Sequence, residues 1–238
     1  MDTLSSQPRS GRFKSVADGV VTAAILTTCA ILVWSVLGRQ TRAVTRPELQ
    51  LPTAPLSIAH APQKGKLTAK VGLVVFSDFQ CPYCGAFARD LWPTIEREYV
   101  STGKVLVIFR NLPANSIHPL ATGAAAAAVC GDQQGHFWDI HDRLFSRPQR
   151  IDASGILDHA RAAALDLSTF KECTAAQKTL DLIASDGEIA RDLSISSTPT
   201  FLVGRLVESQ QLVVTAAIQG YQPKAAFDKA ISSALTSK

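Results

Sequence analysis

Two kinds of hydrophobic pattern alternate along the chain, and their order predicts its architecture. Val71, Leu73, Val74, Val75 and Phe76 form a nearly unbroken apolar run, as expected of a strand buried on both faces. From Cys81 the pattern changes: Phe87, Leu91, Ile95 and Tyr99 recur every fourth position, the stripe of an amphipathic helix. Residues 104–110 return to the first pattern. Strand, helix and strand make one βαβ unit, with the helix as its right-handed crossover.

The stretch 115–194 then reads as helical. Residues 118–130 are alanine-rich and helical by propensity. Phe137, Ile140, Leu144 and Phe145, with Trp138 beside them, mark one face of a second helix, whose histidines are expected at the surface or its boundary. Ser154 is expected to cap a third, carrying Ile156, Ala160 and Ala164. Thr169 and Glu172 have capping-box spacing for a fourth, carrying Phe170 and Cys173. A fifth is expected over 178–192. Strand signals resume at 199–203 and 212–218 as an antiparallel hairpin. Pro223 opens a last helix with Phe227, Ile231 and Leu235 on its buried side. Residues 64–114 and 195–238 thus make an α/β domain, interrupted by a helical domain at 115–194.

Ahead of this pattern, residues 19–38 carry no charge over 20 positions, the length of a helix across a hydrocarbon layer. We expect a transmembrane signal anchor there, with residues 1–18 cytoplasmic. A cleaved signal peptide ending near Val36 and Gly38 is the alternative. Leu26-Thr27-Thr28-Cys29 only faintly resembles a lipoprotein cleavage box, and Cys29 is expected to be a membrane-buried thiol. Residues 39–63, punctuated by Pro47, Pro52, Pro55 and Pro62, read as an extended tether.

The net charge of +4 changes this picture little. The first 46 residues hold six basic and two acidic side chains, and the remainder is balanced at 18 of each. The basic excess is therefore N-terminal, and no nucleic-acid partner is expected. Three basic residues flank each side of the apolar run, so charge does not orient it. Four of the five cysteines lie beyond it, an even number, as expected where disulfides persist. We therefore expect a single-pass protein of the cell (inner) membrane, with its C-terminal part extracytoplasmic or periplasmic.

The chemistry is concentrated where strand gives way to helix. Cys81 and Cys84 lie in the first turn of the predicted helix. There the unpaired backbone N–H groups and the positive end of the dipole favour a thiolate at Cys81. Cys84, one turn on and nearer the core, can close back on it as a reducible disulfide. Pro82 suits the first helical turn, where its missing N–H costs nothing. Half a zinc site and an inert structural disulfide are the competing assignments. No second C-x-x-C exists, and His136 and His141, five apart, diverge by about 140° round a helix, so neither metal nor other cofactor is expected.

Three stretches carry a resemblance to a known family: Phe76-Ser77-Asp78-Phe79-Gln80-Cys81-Pro82-Tyr83-Cys84, Phe137-Trp138-Asp139-Ile140-His141-Asp142-Arg143-Leu144-Phe145, and Ser197-Thr198-Pro199-Thr200-Phe201. Over roughly residues 63–238 the chain resembles the DsbA-like thiol:disulfide oxidoreductases, a thioredoxin fold with an inserted helical domain. The resemblance implies a cis Thr198-Pro199 bond opposite the thiols, against a trans strand-initiating proline as the bland alternative. Thr198 would then offer its backbone N–H and C=O to an extended substrate. It also implies a structural disulfide between Cys130 and Cys173, with free buried thiols as the alternative. The implied activity is dithiol oxidation of exported cysteine-containing proteins, with re-oxidation by a membrane quinone-linked thiol oxidase. The dipeptide Pro82-Tyr83 and Thr198 tune the potential, and they also occur in isomerase or reductase relatives, which is the second assignment. A membrane-anchored peptide-binding holdase is the third.

Overall fold

A strand with no polar face needs cover on both sides. In the computed structural model, which describes residues 21, 23–35, 49, 51–208 and 210–236, a six-stranded sheet provides its frame. The strands are β1 (Leu56–Ser57), β2 (Gln63–Lys64), β3 (Val71–Ser77), β4 (Val105–Asn111), β5 (Thr200–Val207) and β6 (Gln211–Gln219), in the order β1-β6-β5-β3-β4-β2. β3 and β4 are buried at every position and pair in parallel, from Val71 opposite Val105 to Ser77 opposite Asn111. All other pairings are antiparallel. A bulge between Val203 and Gly204 interrupts the β5–β6 register. A side chain at Gly204 would come within 2.1 Å of the Val213 carbonyl, so only glycine fits there.

The stretch 39–63, expected to be a tether, is corrected in its second half. Its two short strands pair at opposite margins of the sheet, and Ile58 between them is buried. Open edges present unpaired backbone groups, and residues 56–64 meet part of that demand.

Helix α1 occupies residues 23–35, with Ile25, Leu26, Ile31, Leu32, Val33 and Trp34 exposed. The ends of the run 19–38 expected to cross a membrane, like residues 1–18, lie outside the described residues. Among the described residues no helix is long and apolar enough to cross a membrane. Residues 48–238 pack as a unit separate from residues 1–47.

Helix α2 runs over residues 82–100. It is α-helical at Pro82–Ala86 and Trp92–Ile95, and π-helical at Phe87–Leu91 and Glu96–Val100. Pro93 explains the first wide turn. It lacks an N–H and crowds the carbonyl four residues back, so the turn opens and Trp92 N–H reaches Phe87 C=O. Between β4 and β5 lie α3 (Ala121–Asp132), α4 (Phe137–Ser146), α5 (Ala153–Ala162), α6 (Leu167–Ala175) and α7 (Gln177–Asp192), and α8 (Lys224–Thr236) ends the chain. On one face of the sheet Val71, Leu73, Val75, Val107, Phe109 and Phe201 share a core with α2, the inserted helices and α8. On the other, Val74, Phe76, Ile108 and Leu202 pack with Ala190, Ile195 and Ile58.

Four local expectations are revised. Asp152, not Ser154, caps α5, accepting Gly155 N–H at 2.7 Å. Asp166 caps α6 by accepting Thr169 N–H at 2.7 Å. In both, a carboxylate is the better acceptor at the positive end of a helix. Leu235 is exposed while Ala234 is buried: seven residues bring a helix back within about 20° of Phe227, eight overshoot by about 80°. His141 is buried, at 6% exposure, because sequence-distant rings enclose it.

Candidate active site

β3 ends at Ser77, and a three-residue turn delivers the chain to Cys81, the N-cap of α2, with Pro82 in the first helical position. The turn is closed by Cys81 N–H donating to Asp78 C=O at 3.1 Å, and Gly85 N–H returns to Cys81 C=O at 3.0 Å. Both thiols are free, and both are nearly hidden: Cys81 is 6% exposed and Cys84 1%. Pro82 and Tyr83 between them are exposed.

The two sulfurs are driven apart in acidity. A hydrogen bond from Cys84 is the largest influence on Cys81. Together with the Thr198 side chain and the N–H groups of Cys84 and Tyr83, it outweighs burial and lowers the thiol from 9.0 to about 5. Burial pushes Cys84 well above the ordinary thiol range, and the bond to Cys81 and its charge add to the rise. One sulfur is therefore a thiolate at neutral pH while the other keeps its proton.

Opposite them stands the loop before β5. The Thr198-Pro199 bond is cis, and the Cys81 thiol approaches the Thr198 carbonyl at 3.5 Å. Thr200 Oγ1 donates to Ser197 C=O at 2.7 Å and Gly220 N–H to Pro199 C=O at 2.7 Å, which fixes the loop. Cys130 and Cys173 are bonded to each other, joining α3 to α6 away from this turn.

Asp78 holds the thiol turn to the rest of the molecule. Its backbone N–H donates to Cys84 Sγ at 3.5 Å. Its carboxylate, 1% exposed as a residue, accepts Gln80 N–H at 2.7 Å and Ala114 N–H at 2.9 Å, and meets His118 Nδ1 at 2.7 Å. Gln80 Oε1 in turn accepts Leu120 N–H at 2.9 Å. The loop carrying the exposed side chains of Ile117 and Leu120 is thereby fastened beside the thiols.

Sequence pattern alone does not mark Asp78, His118 or His141 as parts of the site. Asp78 has a signal, since it lies inside the first motif; its partners Ala114 and His118 lie 36 and 40 residues away and have no local signature. His141 sits inside the second motif, where an amphipathic helix pattern files it with the polar residues.

Comparisons with known proteins agree with this geometry. A family profile described as thioredoxin matches residues 60–215. The chain is 34% identical over 164 residues to a protein of Salinispora arenicola named Na(+)/H(+) antiporter NhaA 1, covering 66% of this chain but only 24% of that one. The same holds for a Salinispora tropica antiporter, 36% identical over 140 residues, of which 21% is covered. The chain thus spans about a fifth to a quarter of these relatives. It is 28% identical over 153 residues to disulfide bond formation protein D of Bacillus subtilis, covering 62% of this chain and 69% of that one. Among solved structures, oxidised BdbD from Bacillus subtilis superposes with a TM-score of 0.65 at 23% identity, over 77% of this chain and 97% of that one. Wolbachia pipientis alpha-DsbA1 gives 0.62 at 24%, over 80% and 98%.

Proposed function

Since the chain belongs to the thioredoxin family, with a fold shared by DsbA-like proteins, we propose that it is a thiol:disulfide oxidoreductase acting through Cys81 and Cys84, and that it works as a dithiol oxidase on exported proteins. The observation that carries this is the Cys81 thiol, held at about 5 beside a resolving thiol one turn away. In the oxidised enzyme a client thiolate attacks Cys81 Sγ, the Cys81–Cys84 bond breaks, and a mixed disulfide forms. A second client thiolate then attacks the client sulfur of that bond, and reduced enzyme leaves.

The oxidase direction is supported by the redox state the site favours. A thiolate lowered to about 5 exists only in the reduced enzyme, and whatever stabilises the reduced form makes the disulfide a stronger oxidant. The stabilisation is present above the ordinary thiol pKa and is lost as pH falls through about 5. Thr198 is proposed to align an extended client with its backbone N–H and C=O. The disulfide between Cys130 and Cys173 supports work in an oxidising compartment. The uncharged stretch 19–38 is proposed as a membrane anchor, and a membrane quinone-linked thiol oxidase as the re-oxidising partner.

A redox titration of Cys81 and Cys84 against glutathione tests the direction. A potential well above that of thioredoxin, about −270 mV, is expected; a value at or below it would make the protein a reductase. A C-terminal reporter active only outside the cytoplasm checks the location.

A further inference from the structure

Beneath Cys84 lies a small cavity of about 10 Å³, about the room one water molecule needs. Its walls are mostly apolar, but Ser77, Cys84, Trp92 and His141 also line it. Trp92 is 5% exposed and its indole Nε1–H has no partner among the described residues. His141 is enclosed by the rings of Phe79, Phe109, Phe137, Trp138 and Phe145, with centroids 4.9 to 6.1 Å away. An imidazole in such surroundings costs desolvation and adds little that phenylalanine would not, so its presence asks for a polar role.

The buried thiol poses a matching problem. Cys84 must lose its proton before it can attack a mixed disulfide at Cys81, yet it is 1% exposed. The carboxylate of Asp78 already meets three partners. Asp142 Oδ1 lies 2.8 Å from His141 Nδ1; a carboxylate accepts, so Nδ1 carries the hydrogen and Nε2 the lone pair. We propose that His141 receives the proton of the Cys84 thiol across this cavity, through one water molecule held between Ser77, Trp92 and His141. This deepens the dithiol exchange proposed above and rests on it.

The step balances as follows. The Cys84 proton passes through the water to His141 Nε2, and the Cys84 sulfur attacks Cys81 Sγ. The bond from Cys81 to its partner breaks, the partner leaves as a thiolate with the electron pair, and the Cys81–Cys84 disulfide closes. His141 then returns its proton to solvent. The charged groups around the imidazole are Asp142 on its own helix, the Lys64–Glu96 pair contributed by β2 and α2, 2.6 Å apart, and the two thiols. Burial is the largest influence and lowers His141 below its ordinary 6.5, so the ring is neutral at neutral pH and Nε2 is open to a proton.

In a Cys29→Ser background, which removes the other free thiol, reaction of the reduced protein with dithiobis-nitrobenzoate separates the two sulfurs in one trace. The first coloured thiolate is released by Cys81, the second by Cys84 closing on the mixed disulfide. His141→Phe is expected to leave the first phase unchanged and slow the second about a hundredfold at pH 7, the scale of a lost general base. It should also abolish a step in the second-phase rate of the wild-type chain below pH 6.5. Trp92→Phe, which keeps the ring and removes only the N–H, is expected to slow the second phase about tenfold; it decides the matter if His141→Phe does not fold. Wild-type second-phase rates in both variants, or equal slowing of both phases, would overturn the role of His141. Absence of a second phase in the wild-type chain would instead overturn the dithiol reading beneath it, and the relay with it.

Discussion

Two pairs of cysteines share one hydrophobic core, and they have become different chemical objects. Cys130 and Cys173 are closed across 43 residues, and the Thr179 hydroxyl lies near both sulfurs, at 3.9 and 3.5 Å. That hydroxyl spends its hydrogen on the Cys173 carbonyl at 2.7 Å, so it offers neither sulfur a donor. Cys81 has the Cys84 thiol, the Thr198 side chain and two backbone N–H groups. Depth does not separate the pairs, since Cys84 and Cys130 are equally hidden. Donors do, together with the loop at Thr198.

The contrast can be broken at either pair. Cys81→Ala should have the largest effect, reducing dithiol turnover to the uncatalysed rate in a refolding assay on a reduced secretory protein, while the thermal transition stays in place. Breaking the other pair should do the reverse. A double Cys130→Ser, Cys173→Ser variant loses roughly 3 to 4 kcal/mol of loop-closure stabilisation, which calorimetry should show as a fall in Tm of about 10 °C, with the Cys81/Cys84 potential unchanged. A moved potential would mean that the two pairs are coupled.

Smaller changes sharpen the comparison. Thr198→Val removes one named donor to Cys81, so the midpoint of its alkylation rate against pH, expected at about 5, should rise by about one unit. Asp166→Ala strips the cap from the helix that carries Cys173. It should cost about 1 kcal/mol in urea denaturation and leave that alkylation midpoint where it was.

What was legible in the sequence follows from the range of each interaction. β3, β4 and the first part of β5 announce themselves because burial on both faces writes an apolar run within one segment. The motif around Cys81 is legible for the same reason, since its donors other than Thr198 are its own neighbours in the first turn of α2. The strands at Leu56–Ser57 and Gln63–Lys64 are too short to show any period, and their partners are 43 or more positions away. Asp152 and Asp166 are masked in the sequence because a hydroxyl residue inside each helix also satisfies the capping pattern. His141 reads as polar in its own helix; Phe79 and Phe109, which help bury it, come from the turn after β3 and from β4.

The short strands at the sheet's two margins bear on how such a protein handles its own kind of traffic. A polypeptide that has not yet folded carries bare amides and zips readily onto any open rail of them. With Leu56–Ser57 lying along β6 and Gln63–Lys64 along β4, both rails are interrupted by the chain itself. On the proposed function, a client is left with less to grip at the flanks than at the Thr198 loop, where a sulfur waits 3.5 Å away.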